Sequence, residues 1–80
     1  DIGSNDGTFL SNFKKSNKLI GIDPTIKKLK KYYRKDIITL SDFFSAQKIA
    51  KYIKNKRAKI ITSISMFYDL PSPIKFVQDI

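Results

Sequence analysis

Eighty residues, 41% of them hydrophobic, allow one small domain, and the chain holds no cysteine and no histidine. Disulfides and cysteine zinc sites are therefore excluded, as is the commonest general base. Sixteen basic against seven acidic residues leave a net charge of +9, with fourteen lysines and no glutamate. No apolar run approaches the ~20 residues of a membrane span. No secretory leader pattern is visible, so the expectation is a soluble, cytoplasmic protein without a membrane partner.

The chain opens on Asp1-Ile2-Gly3-Ser4-Asn5-Asp6-Gly7-Thr8. This reads as the end of an apolar strand followed by a tight loop. Gly3 and Gly7 can take backbone angles closed to other residues, and Asn5 tolerates the left-handed region. Only an acid and one aliphatic residue precede the loop, so the chain is expected to be part of a larger protein. Phe9, Leu10 and Phe13 predict a helix over 8–15. Lys18–Ile22 predicts a second strand. Asp23-Pro24 predicts a helix start, with Asp23 as cap and an apolar stripe of Ile26, Leu29 and Tyr33. Asp36–Leu40 predicts a third strand, and Ser41 to Ser45 offers caps for a third helix. Its stripe is Phe43, Ala46, Ala50 and Ile53, with Ile49 alongside. Lys59–Ser65 predicts a fourth strand. Ser72-Pro73 opens a last helix with Phe76, Val77 and Ile80 inward.

Alternation of this kind predicts an α/β fold with a parallel sheet and helices on its faces. Ligands of such sheets sit outside the carboxyl ends of the strands. Asp1, Asp6, Asp23 and Asp42 all fall there, in a chain that otherwise prefers lysine. Asp23 follows Gly3 by twenty residues, which suits a carboxylate accepting from ribose hydroxyls. It can equally cap the helix, or do both. Asp42 can accept from an adenine amine or act as a cap. Asp6 can complement the dipole of the following helix. The loop does not satisfy the nicotinamide-dinucleotide fingerprint, because Asn5 and Thr8 stand where glycines are required. Its two acids also disfavour a pyrophosphate. A ligand with a cationic end and no phosphate, such as S-adenosylmethionine, fits better.

The opening motif resembles the first motif of class I S-adenosylmethionine-dependent methyltransferases, in the variant with Asn-Asp in the glycine loop. Gly21-Ile22-Asp23-Pro24 resembles the second motif. Asp42-Phe43-Phe44 resembles the acid-plus-aromatic segment after the third strand, and 61–70 resembles the fourth strand and its loop. The nearest branch resembles sugar C-methyltransferases. The resemblance implies an incomplete Rossmann-like domain over 1–80, about four of seven strands, with the first and fourth strands adjacent. It implies a cofactor site of Asp1, Gly3, Ser4, Asn5, Gly7, Asp23, Pro24, Asp42, Phe43 and Ser63. Asp1 would support the amino end, Asp23 the ribose and Asp42 the adenine amine, with Phe43 beside the ring. Ser63 to Tyr68 would lie near the reacting methyl.

Tyr68 and Asp69 are candidate general bases, or else packing and turn residues before Leu70-Pro71. The implied acceptor is a small molecule, a sugar or nucleotide-linked sugar. An RNA methyltransferase and a non-catalytic Rossmann-like module are the alternatives. The first of these is motivated by the +9 charge, much of it in two lysine clusters, Lys27 to Lys35 and Lys48 to Lys59. Lysine predominates over arginine, the better phosphate reader. Both clusters are therefore expected as solvated faces, apart from the ligand edge.

Overall fold

The computed structural model describes residues 1–54, 56–64 and 70–80. β1 (Ile20–Ile22) and β2 (Ile38–Leu40) pair in parallel, with Ile20 opposite Ile38 and Ile22 opposite Leu40. Ile2 forms parallel bridges with Ile22 on one side and Ser63 on the other. Its backbone N–H donates to Thr62 O at 2.8 Å, and Ile22 N–H donates to Asp1 O at 3.1 Å. Four parallel segments therefore lie side by side in the order β2, β1, Ile2, Ser63. The first and fourth are neighbours, as expected.

Three α-helices accompany the sheet among the described residues: α1 (Ile26–Leu29), α2 (Ala46–Ile53) and α3 (Pro73–Asp79). Side chains alternate across strands, and this divides the apolar residues between two cores. Leu19 and Ile37, with Leu10, Ile26 and Tyr33, form one cluster, against which Phe13 packs. Ile2, Ile22 and Phe76 form the other, joined by Leu40, Phe44, Ile49 and Leu70. The first core is covered by residues 10–13 and α1, and the second by α2 and α3. The arrangement is a parallel sheet between two helical layers, an α/β fold.

Several elements are shorter than the periodicity predicts. Over 8–15 there is only a 3₁₀ turn, Leu10–Asn12, closing at an extended Phe13. Ser11 Oγ and Asn12 Nδ2 donate back to Gly7 O and Thr8 O. The Arg34 guanidinium takes Ser11 O and Phe13 O at 3.0 and 2.9 Å. Carbonyls that a longer helix would use are thus occupied. α1 likewise gives way to a 3₁₀ turn, Lys30–Tyr32, and Tyr33 is extended. Tyr33 leaves the helix and turns its ring into the first core.

The predicted fourth strand is reduced to the bridge at Ser63, and Ile60, Ile61 and Ile64 are exposed. Gly3, at φ +75°, turns the chain away directly after Ile2, so the ladder does not continue past Ser63 to Ile64. Ser65 lies outside the described residues.

The predicted caps are also redistributed. The N-cap position of α1 is Thr25, not Asp23. Ser41, expected to help start the third helix, instead accepts the Lys27 N–H of α1 at 3.0 Å. α2 begins at Ala46 after an extended Ser45 that makes no side-chain cap bond. Its Ala46 N–H reaches Asp79 Oδ2 of α3 at 3.4 Å. Phe43 therefore precedes the helix and is exposed, the expected stripe residues Ala46 and Ala50 are exposed too, and Lys48, Ile49 and Ile53 are the half-buried residues of α2. In α3 only Phe76 is buried, edge-to-face against Phe44 at 5.3 Å. Val77 is rotated ~100° from it and is exposed, as is Ile80 beyond the helix end.

Replacing the buried Ile22 by Ala should cost about 2–5 kcal/mol. Ile74→Ala on the exposed face of α3 should stay within ~0.5 kcal/mol. Denaturant midpoints of the two variants check this, and equal shifts would contradict the core assignment.

Candidate functional site

The chain runs from Ile2 to β1 and β2 on one side, then crosses to Ser63 on the other. The order of the segments therefore reverses at Ile2. In open parallel sheets the ligand crevice lies outside the carboxyl ends at such a point. The loop 3–7 leaves from that position.

Its backbone is left-handed at three alternate residues: Gly3 (φ +75°), Asn5 (φ +53°) and Gly7 (φ +82°). Gly3 N–H donates to Ile22 O at 2.8 Å, and Gly7 N–H to Ser4 O at 2.9 Å. Asp23, directly after β1, accepts Asn5 N–H on Oδ2 at 3.0 Å. Its Oδ1 accepts the Thr25 N–H and hydroxyl at 2.7 and 2.5 Å. Asp23 thus holds the loop and shapes the turn before α1 at once. A carboxylate offers about four lone-pair sites, two on each oxygen, so Oδ1 is filled and one acceptor site is left, on Oδ2. Asp6 closes on Thr8, taking its N–H and hydroxyl on Oδ1. These bonds, the hydroxyl first, hold its carboxyl below the usual range.

Beneath the loop lies a residue that sequence reasoning assigned only to a helix stripe. The Tyr33 hydroxyl donates to Asn5 O at 2.6 Å and lies 2.7 Å from Ser4 Oγ. Its single proton is committed to Asn5, so Ser4 is the donor in the second bond. Ser4 is buried, and this bond satisfies its hydroxyl. The ring packs under Gly7, where an added Cβ would meet Tyr33 Cδ2 at 2.7 Å. An added Cβ on Gly21 would meet Ser4 Oγ at 2.7 Å, so β1 also needs a glycine to receive the loop. The spacing between Gly7 and Tyr33 holds no local periodicity that could have revealed the contact.

The other expected site residues spread along the same sheet edge. Asp1 accepts the Thr62 hydroxyl at 2.6 Å and ties the first segment to the fourth. Pro24 and Ser63 are exposed. Asp42 accepts the Phe43 N–H and pairs with Lys48 Nζ at 2.8 Å. Lys48 holds the Asp42 carboxyl below its usual range, and the Phe43 N–H adds to this. Phe43 is 72% exposed. Thr39, Ser41, Asp42, Lys48, Lys51 and Tyr52 line a shallow groove of about 400 Å³ with Leu40. The second lysine cluster therefore reaches the carboxyl end of β2 through Lys48, contrary to the expected separation. Lys48 is drawn there because α2 follows directly on the loop that carries Asp42. Tyr68 and Asp69 lie outside the described residues.

Among the described residues no buried side-chain polar atom lacks a partner. None of their acids group as a metal site would require, and none of their helices is long and apolar enough to cross a membrane. Comparison with protein-family models, curated protein sequences and solved structures gives no match.

Burial raises the ionisation of Tyr33 above the ordinary phenol value of 10.0; the Ser4 bond opposes this, and the Asp23 and Asp6 charges add to it. The neutral phenol is the form the fold prefers. Its contribution to stability is fully present below about pH 10 and is lost as pH rises through the raised value. A spectrophotometric titration should show one tyrosine ionising above the ordinary phenol value, with unfolding accompanying it. Ionisation of all tyrosines together near the ordinary value would contradict the buried hydroxyl.

Proposed function

We propose that this chain is the cofactor-binding part of a cytoplasmic, S-adenosylmethionine-dependent methyltransferase with a Rossmann-like class I domain. Its acceptor is a small molecule, a sugar or nucleotide-linked sugar. The observation that carries the reading is the Asn5–Asp23 hydrogen bond. It joins the left-handed glycine loop to the acid after β1, at the point where the order of segments reverses.

The donor set fits the cofactor's chemistry. Carboxylates of Asp6 and Asp23 stand beside the loop, suited to a ligand that is cationic and has no phosphate. Gly3, Ser4, Asn5 and Gly7 would shape the seat of the methionine portion, with Asp1 supporting its amino end. Asp23, next to Pro24, would hold the ribose through its remaining site on Oδ2. Asp42 would receive the adenine amine, and the exposed Phe43 ring would cover the base. Ser63 would stand near the reacting end. When bound, the cofactor supplies an electrophilic methyl on a sulfonium. The protein's task is to hold acceptor, methyl and sulfur in line. Tyr68 and Asp69 are the candidate bases on this chain.

The intact protein should bind S-adenosylhomocysteine in calorimetry in preference to a nicotinamide dinucleotide. Asp23→Ala should weaken that binding by about 1–3 kcal/mol, the range for hydrogen bonds to a charged group. Preference for the dinucleotide would overturn the reading, and unchanged affinity in the variant would remove Asp23 from the site.

One observation favours RNA as the acceptor: Lys48 and Lys51 line the groove beside Asp42. Pairing of Lys48 with Asp42 weighs against it, since that charge is already compensated. Titrating salt against binding to single-stranded and duplex RNA and DNA should give only weak, steeply salt-dependent affinity. Tight binding at physiological salt with preference for one nucleic acid would move the acceptor to that class.

A further inference from the structure

We infer that Tyr33 is the positioning residue of the ligand loop, holding residues 3–7 in the conformation that receives the cofactor. The inference rests on the reading of this loop as the cofactor's seat, and adds a residue outside every motif that the resemblance supplies.

Three contacts converge on this one side chain. The hydroxyl donates to the carbonyl of Asn5, the central left-handed residue. The same oxygen receives the hydroxyl of Ser4, whose own Oγ faces Gly21 of β1. The ring closes against Gly7, the last left-handed residue, leaving no room for a Cβ. Tyr33 therefore touches the loop at Ser4, Asn5 and Gly7, from a position 26 or more residues away in sequence (|i−j| = 28 to Asn5).

The loop's bonds on its opposite side are of another kind. Asn5 N–H is held by Asp23, a carboxylate with capacity left for a ligand. Tyr33 fills the inner side and is buried, so it cannot itself be a ligand contact. Non-glycine residues with positive φ persist where their surroundings over-determine them. At Asn5 the surroundings are Tyr33 below and Asp23 beside. The extended backbone at Tyr33 follows from the same demand, because α1 ends in a 3₁₀ turn that frees the ring to reach the loop.

The test is amide hydrogen exchange of the intact protein, read on peptides covering 3–10 and, as a reference, 19–22 and 37–40. Tyr33→Phe keeps the ring under Gly7 and removes both hydroxyl bonds. Exchange over 3–10 should rise about ten-fold while the β1–β2 reference is unchanged, the pattern of a local opening. Ser4→Ala removes one of the two bonds and should give a smaller rise in the same peptide. S-adenosylhomocysteine affinity should fall in the same order. Unchanged exchange over 3–10, or an equal rise in loop and reference, would make Tyr33 an ordinary core residue and overturn the inference. Exchange confined to the loop with no S-adenosylhomocysteine binding by the unsubstituted protein would uphold the role of Tyr33 and overturn the cofactor. Binding by the unsubstituted protein that is equally strong in Tyr33→Phe would uphold the cofactor and overturn the positioning role.

Discussion

Ile2 is bridged on both sides: its own N–H donates to Thr62 O of the fourth segment, and its neighbours Asp1 O and Gly3 N–H bond Ile22 of β1. Its side chain is buried in the second core with Ile22 and Phe76. A residue so enclosed leaves the following chain one exit, upward past the carboxyl end of β1. Gly3 makes that exit in the left-handed region. The loop, the Asn5–Asp23 bond and the reversal of segment order all follow from the place of this one residue in the sheet.

Around that point the acids and the bases divide the labour. Asp1, Asp6, Asp23 and Asp42 gather at the carboxyl ends, and each is engaged by Thr62, Thr8, Thr25 with Asn5, or Lys48 with Phe43. Arg34, paired with Asp36, is spent on fastening the Leu10–Asn12 turn to the chain before β2. Most lysines carry their charge into solvent. The surface therefore combines a strongly basic body with a small edge of carboxylates. Lys48 departs from it, entering the edge to pair with Asp42.

Two helix N-termini are bonded by residues distant in sequence. Ser41 receives the first turn of α1, and Asp79 receives the start of α2. Asp79 is in turn held below the usual carboxylate range, chiefly by its pairing with Lys75. Exposed termini finished in this way couple α1 to the end of β2 and α2 to α3. These helices are too short to persist alone.

Local composition determined much of the plan. The β-favouring runs around Ile20–Ile22 and Ile38–Leu40 form the two strands. Pro73 opens α3, and the glycine pair with Asn5 between predicts three left-handed residues. Those features depend on backbone sterics and on period-two burial, which neighbouring residues carry. The tertiary structure alone decided where helices stop and what supports the loop. Arg34 intercepts carbonyls at Ser11 and Phe13, Ser41 serves α1 rather than α2, and Tyr33 leaves its helix to underpin Ser4, Asn5 and Gly7. Such bonds join residues 10 or more positions apart, with energies similar to a helical hydrogen bond or cap. Only the folded geometry determines which of the two competing partners each group takes.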